Sequence, residues 1–357
     1  MKKGHVVVAL SGGVDSAVAA ALLLEQGYQV SGATLHLWSP PGESEEQLQE
    51  RFADPRAICQ QLGITHHLLD RRDQFRRTIV DEFLQEYLQG HTPNPCVVCN
   101  REIKWRFMLA LVEELGADLL ATGHYARLLR QGEQTQLARA LHTAKDQSYA
   151  LWNLPLEALR QTLFPLGELA KSETRRLAAN LNLPVKDNPE SQDICFIPEG
   201  DYGNFLRDQY PREMAAVQPG PIQDESGNII GRHRGIPYYT IGQRKGLGIA
   251  LGQPHFISAI DAKANAITIT TGEGLFRCGL RAGRVNWQIP PPQLPFHAFA
   301  RIRYHDPGAD CLITPLTRET VEVRFDTARR AITPGQSVVF YQNDVVLGGG
   351  IIGESFE

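Results

Sequence analysis

Val6-Val7-Val8-Ala9-Leu10-Ser11-Gly12-Gly13-Val14-Asp15-Ser16 decides the fold of this 357-residue chain. Five apolar residues run straight into a paired-glycine turn, and the segment after Ser16 meets no helix breaker before Gly27. A strand, a glycine turn and a helix N-terminus make an oxyanion site. The glycines leave backbone N–H groups uncovered, and the helix dipole adds partial positive charge. Ser11 and Ser16 add hydroxyl donors, and no Lys lies in the turn. The spacing lacks the second Gly and the Lys of G-x-x-x-x-G-K-[ST], so this is not a Walker A loop. Asp15 beside a phosphate is costly unless a magnesium ion sits between them.

Working outward, strand-like and helix-like segments alternate: a helix over 16–26, a strand over 29–37, a helix near 56–62, THHLLD, helices over 73–89 and 101–115, then ADLLAT. Alternation of this kind predicts an α/β fold with a parallel sheet covered on both faces. Ligands of such sheets bind at the carboxyl ends of the strands, where the glycine loop and the Thr122-Gly123-His124-Tyr125 turn both fall. Between them lies His91 to Asn100, whose prolines 93 and 95 argue against a continuous helix. A helical stretch runs to about 185, and after about 205 short β-like runs with Gly and Pro turns take over. The pair QSVVFY and VVLGGGII across Gln342-Asn343-Asp344 is the clearest hairpin. The expected layout is a sheet domain over 1–204, a small β-rich domain over 205–275 and a β-barrel over 276–357.

Charged residues make up 21% and hydrophobic residues 42%, a balance suited to a folded rather than a disordered chain. The apolar start is too short for a signal peptide, and no segment reaches membrane-spanning length. Net charge is −4, but residues 230–330 hold fourteen Lys and Arg against seven Asp and Glu. A basic region on an otherwise acidic chain points to a polyanionic partner. Six cysteines scattered over this length read as reduced thiols of a cytoplasmic protein. Cys96 and Cys99 form a C-x-x-C without the second pair that a structural zinc site needs. A helix starting near Arg101, with Arg101 and Lys104 close by, would favour a Cys99 thiolate. Cys59, Cys278 and Cys311 stand in apolar or β-patterned contexts and read as packing residues.

SGGVDS after a strand resembles the pyrophosphate loop of the N-type ATP pyrophosphatases, which split ATP into AMP and pyrophosphate. Farther along, TPNP-x-x-x-CN, ATGHYAR, KDQSYAL, ICFI, GQRKGLG, RIRY, PGQSVVFY and LGGGII follow in the order found in the tRNA-specific 2-thiouridylases. The resemblance extends from Val6 to Ile352, nearly the whole chain. It implies a pyrophosphatase-type α/β domain followed by two β modules that help hold tRNA.

By that resemblance, Ala9, Leu10, Ser11, Gly12, Gly13, Val14, Asp15, Ser16, Leu35 and Gly123 contact ATP. Cys99 is the nucleophile, and Cys195 carries a persulfide that can pass through a disulfide with Cys99. Asn94, Pro95 and Cys96 meet the target base. His124, Lys145, Asp146, Gln147, Arg303, Tyr304 and Gln336 contact tRNA. Read without the family, His124 is a loop histidine, Lys145 to Gln147 a polar turn and Arg303-Tyr304 a strand-edge pair. The family's cofactors are ATP and Mg2+, and its sulfur comes from a cysteine desulfurase or a sulfur relay carrier.

The best-known form of the motif, TPNPDxxCN, has Asp where this chain has Cys96. A thiol does not hold a full charge at neutral pH as a carboxylate does, which puts that position's proton-transfer role in question. Cys96 either packs the loop or joins Cys99 and Cys195 as three thiolate ligands of an iron-sulfur cluster. The rival functions are an amide-forming synthetase with the same loop and a nucleotide- or RNA-binding protein with an inert site. The first needs no paired thiols, and the second binds ATP without turnover.

Overall fold

The computed structural model describes residues 3–132, 134–188, 194–197, 201–249 and 252–357. Two compact units emerge, one from the described residues of 1–78, 96–196 and 344–346, the other from those of 79–95, 197–343 and 347–357.

The first unit is built on the sheet that the opening motif predicts. Its strands are β1 (Lys3–Ala9), β2 (Tyr28–His36), β3 (Thr65–Asp70) and β4 (Leu119–Thr122). A hairpin of β5 (Ala126–Gln131) and β6 (Gln134–Arg139) follows, and then the two-residue β7 (Thr162–Leu163). The five-stranded sheet runs β3-β2-β1-β4-β7 with every pairing parallel. Val6, Val7 and Val8 are wholly buried because β1 lies at the centre, with β2 on one side and β4 on the other. Helix α1 (Val14–Glu25) buries Ala17 to Ala20 against the same core, where small side chains let helix and sheet approach closely. The chain steps from β1 outward to β3 and returns to β4 on the opposite side of β1. The carboxyl ends of β1 and β4 therefore flank the switch point, where such sheets bind ligands.

Three local expectations shift. The helix expected over 73–89 contains a π-helical segment, Arg76–Val80, between Arg72–Phe75 and Asp81–Leu88. The stretch to about 185 is mostly irregular, with helices Leu156–Arg160 and Lys171–Asn180 and β7 between them. Thr162 makes that short strand possible: its hydroxyl donates to Ala158 O at 2.7 Å and accepts from Trp105 Nε1 at 2.9 Å, all in the interior. The β5–β6 hairpin was not foreseen, since Leu128-Leu129 breaks the alternation that marks a strand.

In the second unit β8 (Gly220–Gln223), β9 (Ile229–His233), β10 (Phe256–Asp261) and β11 (Ala266–Thr270) form a sheet ordered β10-β11-β8-β9. Ile222, Ile257, Ile267 and Ile269 fill its core. After it come β12 (Phe276–Trp287), β13 (Phe296–Arg301), β14 (Ala309–Pro315), β15 (Val321–Arg330), β16 (Ser337–Gln342) and β17 (Val345–Phe356). These pair as β12-β15-β14-β13-β16-β17, and an antiparallel β12–β17 ladder closes the barrel expected at the C-terminal end. Closure leaves no free edge, and the alternating apolar residues of each strand fill the interior. Residues 79–95 pack with this unit: Tyr87 stacks on Tyr202 at 4.5 Å, and Tyr210 donates a hydrogen bond to Asp81. Among the described residues no helix is long and apolar enough to cross a membrane. Cys59 and Cys311 are buried as expected, whereas Cys278 is exposed on β12 and is not a packing residue.

Candidate active site

The glycine loop leaves β1 at Ala9 and reaches α1 within a few residues, which Gly12 allows by adopting φ +83°. Gly13 is the N-cap of α1 and receives no side-chain cap, so the helix terminus keeps its donors for an anion. Ser16 is only 4% exposed, and its hydroxyl donates to Gly13 O at 3.0 Å. That hydroxyl holds the loop closed, leaving Ser11 as the solvent-facing one. Gly123, at the end of β4, abuts the same terminus: a Cβ there would stand 2.7 Å from Ser16 N and 2.8 Å from the Asp15 carbonyl carbon. Leu35, half-buried near the carboxyl end of β2, lies on the same sheet edge. The predicted nucleotide residues are therefore gathered at one place.

Sequence reasoning missed the partners of Asp15. Lys171, the first residue of helix Lys171–Asn180, places Nζ 2.7 and 2.8 Å from the two Asp15 carboxylate oxygens. The Tyr125 hydroxyl donates to Asp15 Oδ1 at 2.8 Å. A lysine 156 residues downstream thus supplies a charge that the loop lacks. The only signal was a Lys opening an otherwise ordinary helix, and no spacing rule links it to the loop.

Cys96 and Cys99 do not precede a helix; they are in one. Pro95–Cys99 is helical and continues through a π-helical segment, Asn100–Trp105, into Arg106–Glu114. Pro95 opens it because a proline at the first helical position forfeits no hydrogen bond, so the two prolines shorten the loop rather than abolish the helix. Cys96, not Cys99, falls in the first turn, and the helix-dipole argument for a Cys99 thiolate fails. Cys99 is 4% exposed, and burial pushes its thiol up to about 12. Lys104 opposes that shift, while Cys195 and Cys96 reinforce it. Cys195 is raised by burial too, again with Lys104 opposing and Cys96 reinforcing, although its side chain keeps surface exposure. Three thiols and one ammonium therefore share an electrostatic neighbourhood. Among the described residues, however, no three His, Cys, Asp or Glu side chains converge to hold a metal, these thiols included. The geometry does not fit an iron-sulfur cluster.

His124 accepts or donates at Nδ1 with Thr122 Oγ1, 2.8 Å away, and its ring lies 5.5 Å from that of Trp105. Burial, with Lys104 adding to it, pushes its pKa down to about 3, so the imidazole is neutral at physiological pH. Lys145 is exposed at the end of a short 3-10 turn. Asp146 is buried and accepts from the Ala140 and Ser148 N–H groups, each at 3.1 Å, and from Ser148 Oγ at 2.9 Å. Gln147 accepts from Tyr125 N at 2.9 Å, clipping this turn to the strand end that carries His124.

In the second unit Arg303 and Tyr304 sit on a turn held by Asp306, whose carboxylate takes the Ile302 N–H at 3.2 Å and pairs with Arg329. Gln336 donates to Thr92 O at 2.8 Å, and Thr92 N donates to Pro334 O at 2.9 Å. The start of the 91–100 segment is thereby tied to the barrel turn. Asn94 is half-buried, Pro95 buried and Cys96 exposed.

Three family models match the chain: a tRNA methyl transferase HUP domain over residues 4–199, a tRNA methyl transferase PRC-barrel domain over 207–271 and an aminomethyltransferase beta-barrel domain over 277–352. A protein of Roseiflexus castenholzii named tRNA-specific 2-thiouridylase MnmA is 46% identical over 97% of this chain and 98% of its own length. One of Moorella thermoacetica bearing that name is 47% identical over 97% of this chain and 98% of its own. A third, of Clostridium perfringens, is 43% identical over 99% of each.

Proposed function

Because the chain belongs to the tRNA-specific 2-thiouridylase family, we propose that it replaces O2 of the wobble uridine of tRNA with sulfur at the expense of ATP. The observation that carries this reading is the occurrence, in one unit, of a phosphate-binding glycine loop and the Cys99–Cys195 pair.

O2 of uridine is a poor leaving group and must first be activated. ATP lies with its phosphates on the Ser11 to Ser16 turn, the uridine oxygen attacks the α-phosphorus, and pyrophosphate departs with the bond's electron pair. Magnesium arriving with the nucleotide would neutralise phosphate charge, and Asp15, partly exposed, is the carboxylate of this loop able to reach it.

Cys195 carries the incoming sulfur as a persulfide. Cys99 attacks the Cys195 sulfur, forming a disulfide and expelling hydrosulfide, which adds to C2 and displaces AMP. In the alternative order, the terminal persulfide sulfur adds to C2 and displaces AMP, and Cys99 then attacks the Cys195 sulfur, forming the Cys99–Cys195 disulfide and releasing the thiouridine sulfur. Both orders end with one disulfide, which an external thiol must reduce. The persulfide is loaded by a cysteine desulfurase or a sulfur relay protein, and the substrates are the tRNAs for Lys, Glu and Gln. Reaching a wobble base requires drawing it out of the anticodon stack. Lys145, Gln147, Arg303 and Tyr304 are the proposed tRNA contacts; Asp146 and Gln336 contribute by shaping the turns that present them.

The test is nucleoside mass spectrometry of tRNA incubated with the protein, ATP, magnesium and sulfide or a loaded sulfur donor, alongside a pyrophosphate assay. Thiouridine and pyrophosphate are both expected from the native chain, and Cys195→Ala should abolish thiolation by the loaded donor without preventing pyrophosphate release. Pyrophosphate without thiouridine favours the amide-forming synthetase, and ATP binding without pyrophosphate favours the inert binder.

A further inference from the structure

We propose that the barrel turn Pro334-Gly335-Gln336 is a clamp on the target-base loop, and that Gln336 is a positioning residue of thiolation, acting through Thr92 and Pro93 rather than by holding tRNA. This rests on the thiolation reading given above and adds to it the device that aims the loop.

Residues 91–94 belong to no helix or strand, so their backbone polar groups must find partners elsewhere. Every polar group of Thr92 is taken by a distant segment of the second unit. Its N–H donates to Pro334 O at 2.9 Å, and its carbonyl accepts from Gln336 Nε2 at 2.8 Å. Its hydroxyl donates to Thr240 Oγ1 at 3.2 Å, between β9 and β10 of the small sheet. The same Gln336 Nε2 stands 3.5 Å from Pro93 O. Both β modules therefore grip one residue of the loop.

The turn that does the gripping is itself fixed. Gly335 N donates to Ile352 O and Ile352 N to Gln336 O, each at 2.8 Å, which stitches the turn to β17. Gly335 has φ +90°, and a Cβ there would stand 2.9 Å from the N, C and O atoms of Thr92. Only a glycine lets the two backbones come this close.

A hold at Thr92 reaches the proposed base contacts because the intervening chain is stiff. Pro93 and Pro95 lock their own φ angles and restrict Thr92 and Asn94 before them. A displacement at Thr92 is passed along to Asn94, Pro95 and Cys96 instead of being absorbed. Misplacing a reacting group by about 1 Å can slow its reaction by about 100-fold, so the clamp bears on rate rather than on affinity.

The competing explanation is that Gln336 holds tRNA and meets Thr92 incidentally. Three measurements separate the two: tRNA affinity by fluorescence anisotropy, single-turnover thiolation at saturating tRNA by nucleoside mass spectrometry, and amide hydrogen exchange of peptides covering 91–95. Gln336→Met should leave tRNA affinity within about threefold, slow thiolation by about 10- to 100-fold and speed exchange at Thr92 by about tenfold or more, with β14 and β15 unchanged. Gly335→Ala, which touches no side chain of the turn, should give the same pattern. Weaker tRNA binding by Gln336→Met, with Gly335→Ala normal and Thr92 exchange unaltered, would assign Gln336 to tRNA and overturn the proposal. Thiolation at the native rate in both variants would overturn it too. If either variant does not fold, Gln336→Leu takes its place in all three measurements. A native chain that makes no thiouridine would instead sink the thiolation reading itself.

Discussion

Burial pushes the Cys99 thiol up to about 12, so at neutral pH it is held in its protonated form. Cys99 as it stands is a guarded thiol, and the attack proposed for it requires substrate or persulfide to alter its surroundings first. Lys104 is the nearby cation that favours the charged form. Iodoacetamide, with peptide mapping by mass spectrometry, should therefore label exposed Cys96 and Cys278 well before Cys99. Labelling of Cys99 in the resting protein should rise about tenfold per pH unit from 7 to 9; a rate that levels off near pH 8 would refute its raised pKa. His124 makes the opposite case, a base held neutral by burial with a pKa of about 3. The unfolded chain then binds the extra proton between about 6.5 and 3. Stability is full above about 6.5 and falls with pH through that window. Denaturant unfolding at pH 7 and pH 5 should show a smaller loss for His124→Asn than for the native chain, and equal losses would contradict the neutral assignment.

At the scale of elements, the site depends on backbone approach. Gly123 must lack a side chain because the end of β4 packs onto the N-terminus of α1, 2.7 Å from where a Cβ would meet Ser16 N. Gly123→Ala must push strand and helix apart, an overpacking that costs about 1–3 kcal/mol and widens the anion site. The expected outcome is a folded protein by circular dichroism whose pyrophosphate release falls at least tenfold; unchanged release would show that this approach does not shape the site. The helix from Pro95 through the π-helical segment makes the same point. Sequence periodicity placed a helix near 101 and took the prolines as a barrier, but Pro95 is tolerated at the first position. The wider π turn shifts the helix register by one residue, which a period of 3.6 does not anticipate.

For the whole molecule, the basic stretch of 230–330 lies in the second unit, mainly in the small sheet and the barrel. Its proposed partner is a polyanion, so tRNA affinity should fall steeply with salt. Arg303→Ala should weaken binding across tRNA sequences and reduce the salt slope by about one. An unchanged slope in filter binding or fluorescence anisotropy would remove Arg303 from the phosphate contacts. Asp306→Ala should reproduce part of that loss without removing a positive charge, because Asp306 holds the turn that presents Arg303.

Much of this architecture was legible along the chain. The glycine loop, the β1–α1 unit, the parallel sheet and the closing hairpin of the barrel are local patterns, because alternation, helical period and turn chemistry act over a few residues. Cys99 and Cys195 were named from motifs, but their raised pKa values were not, since burial is a property of the packed interior. Lys171 beside Asp15 and Gln336 beside Thr92 belong to the same class. Each contact joins residues more than 150 positions apart, and no local rule carries across that distance. The physical reason is that an electrostatic partner is chosen by proximity in space, and proximity exists only once the layers have packed.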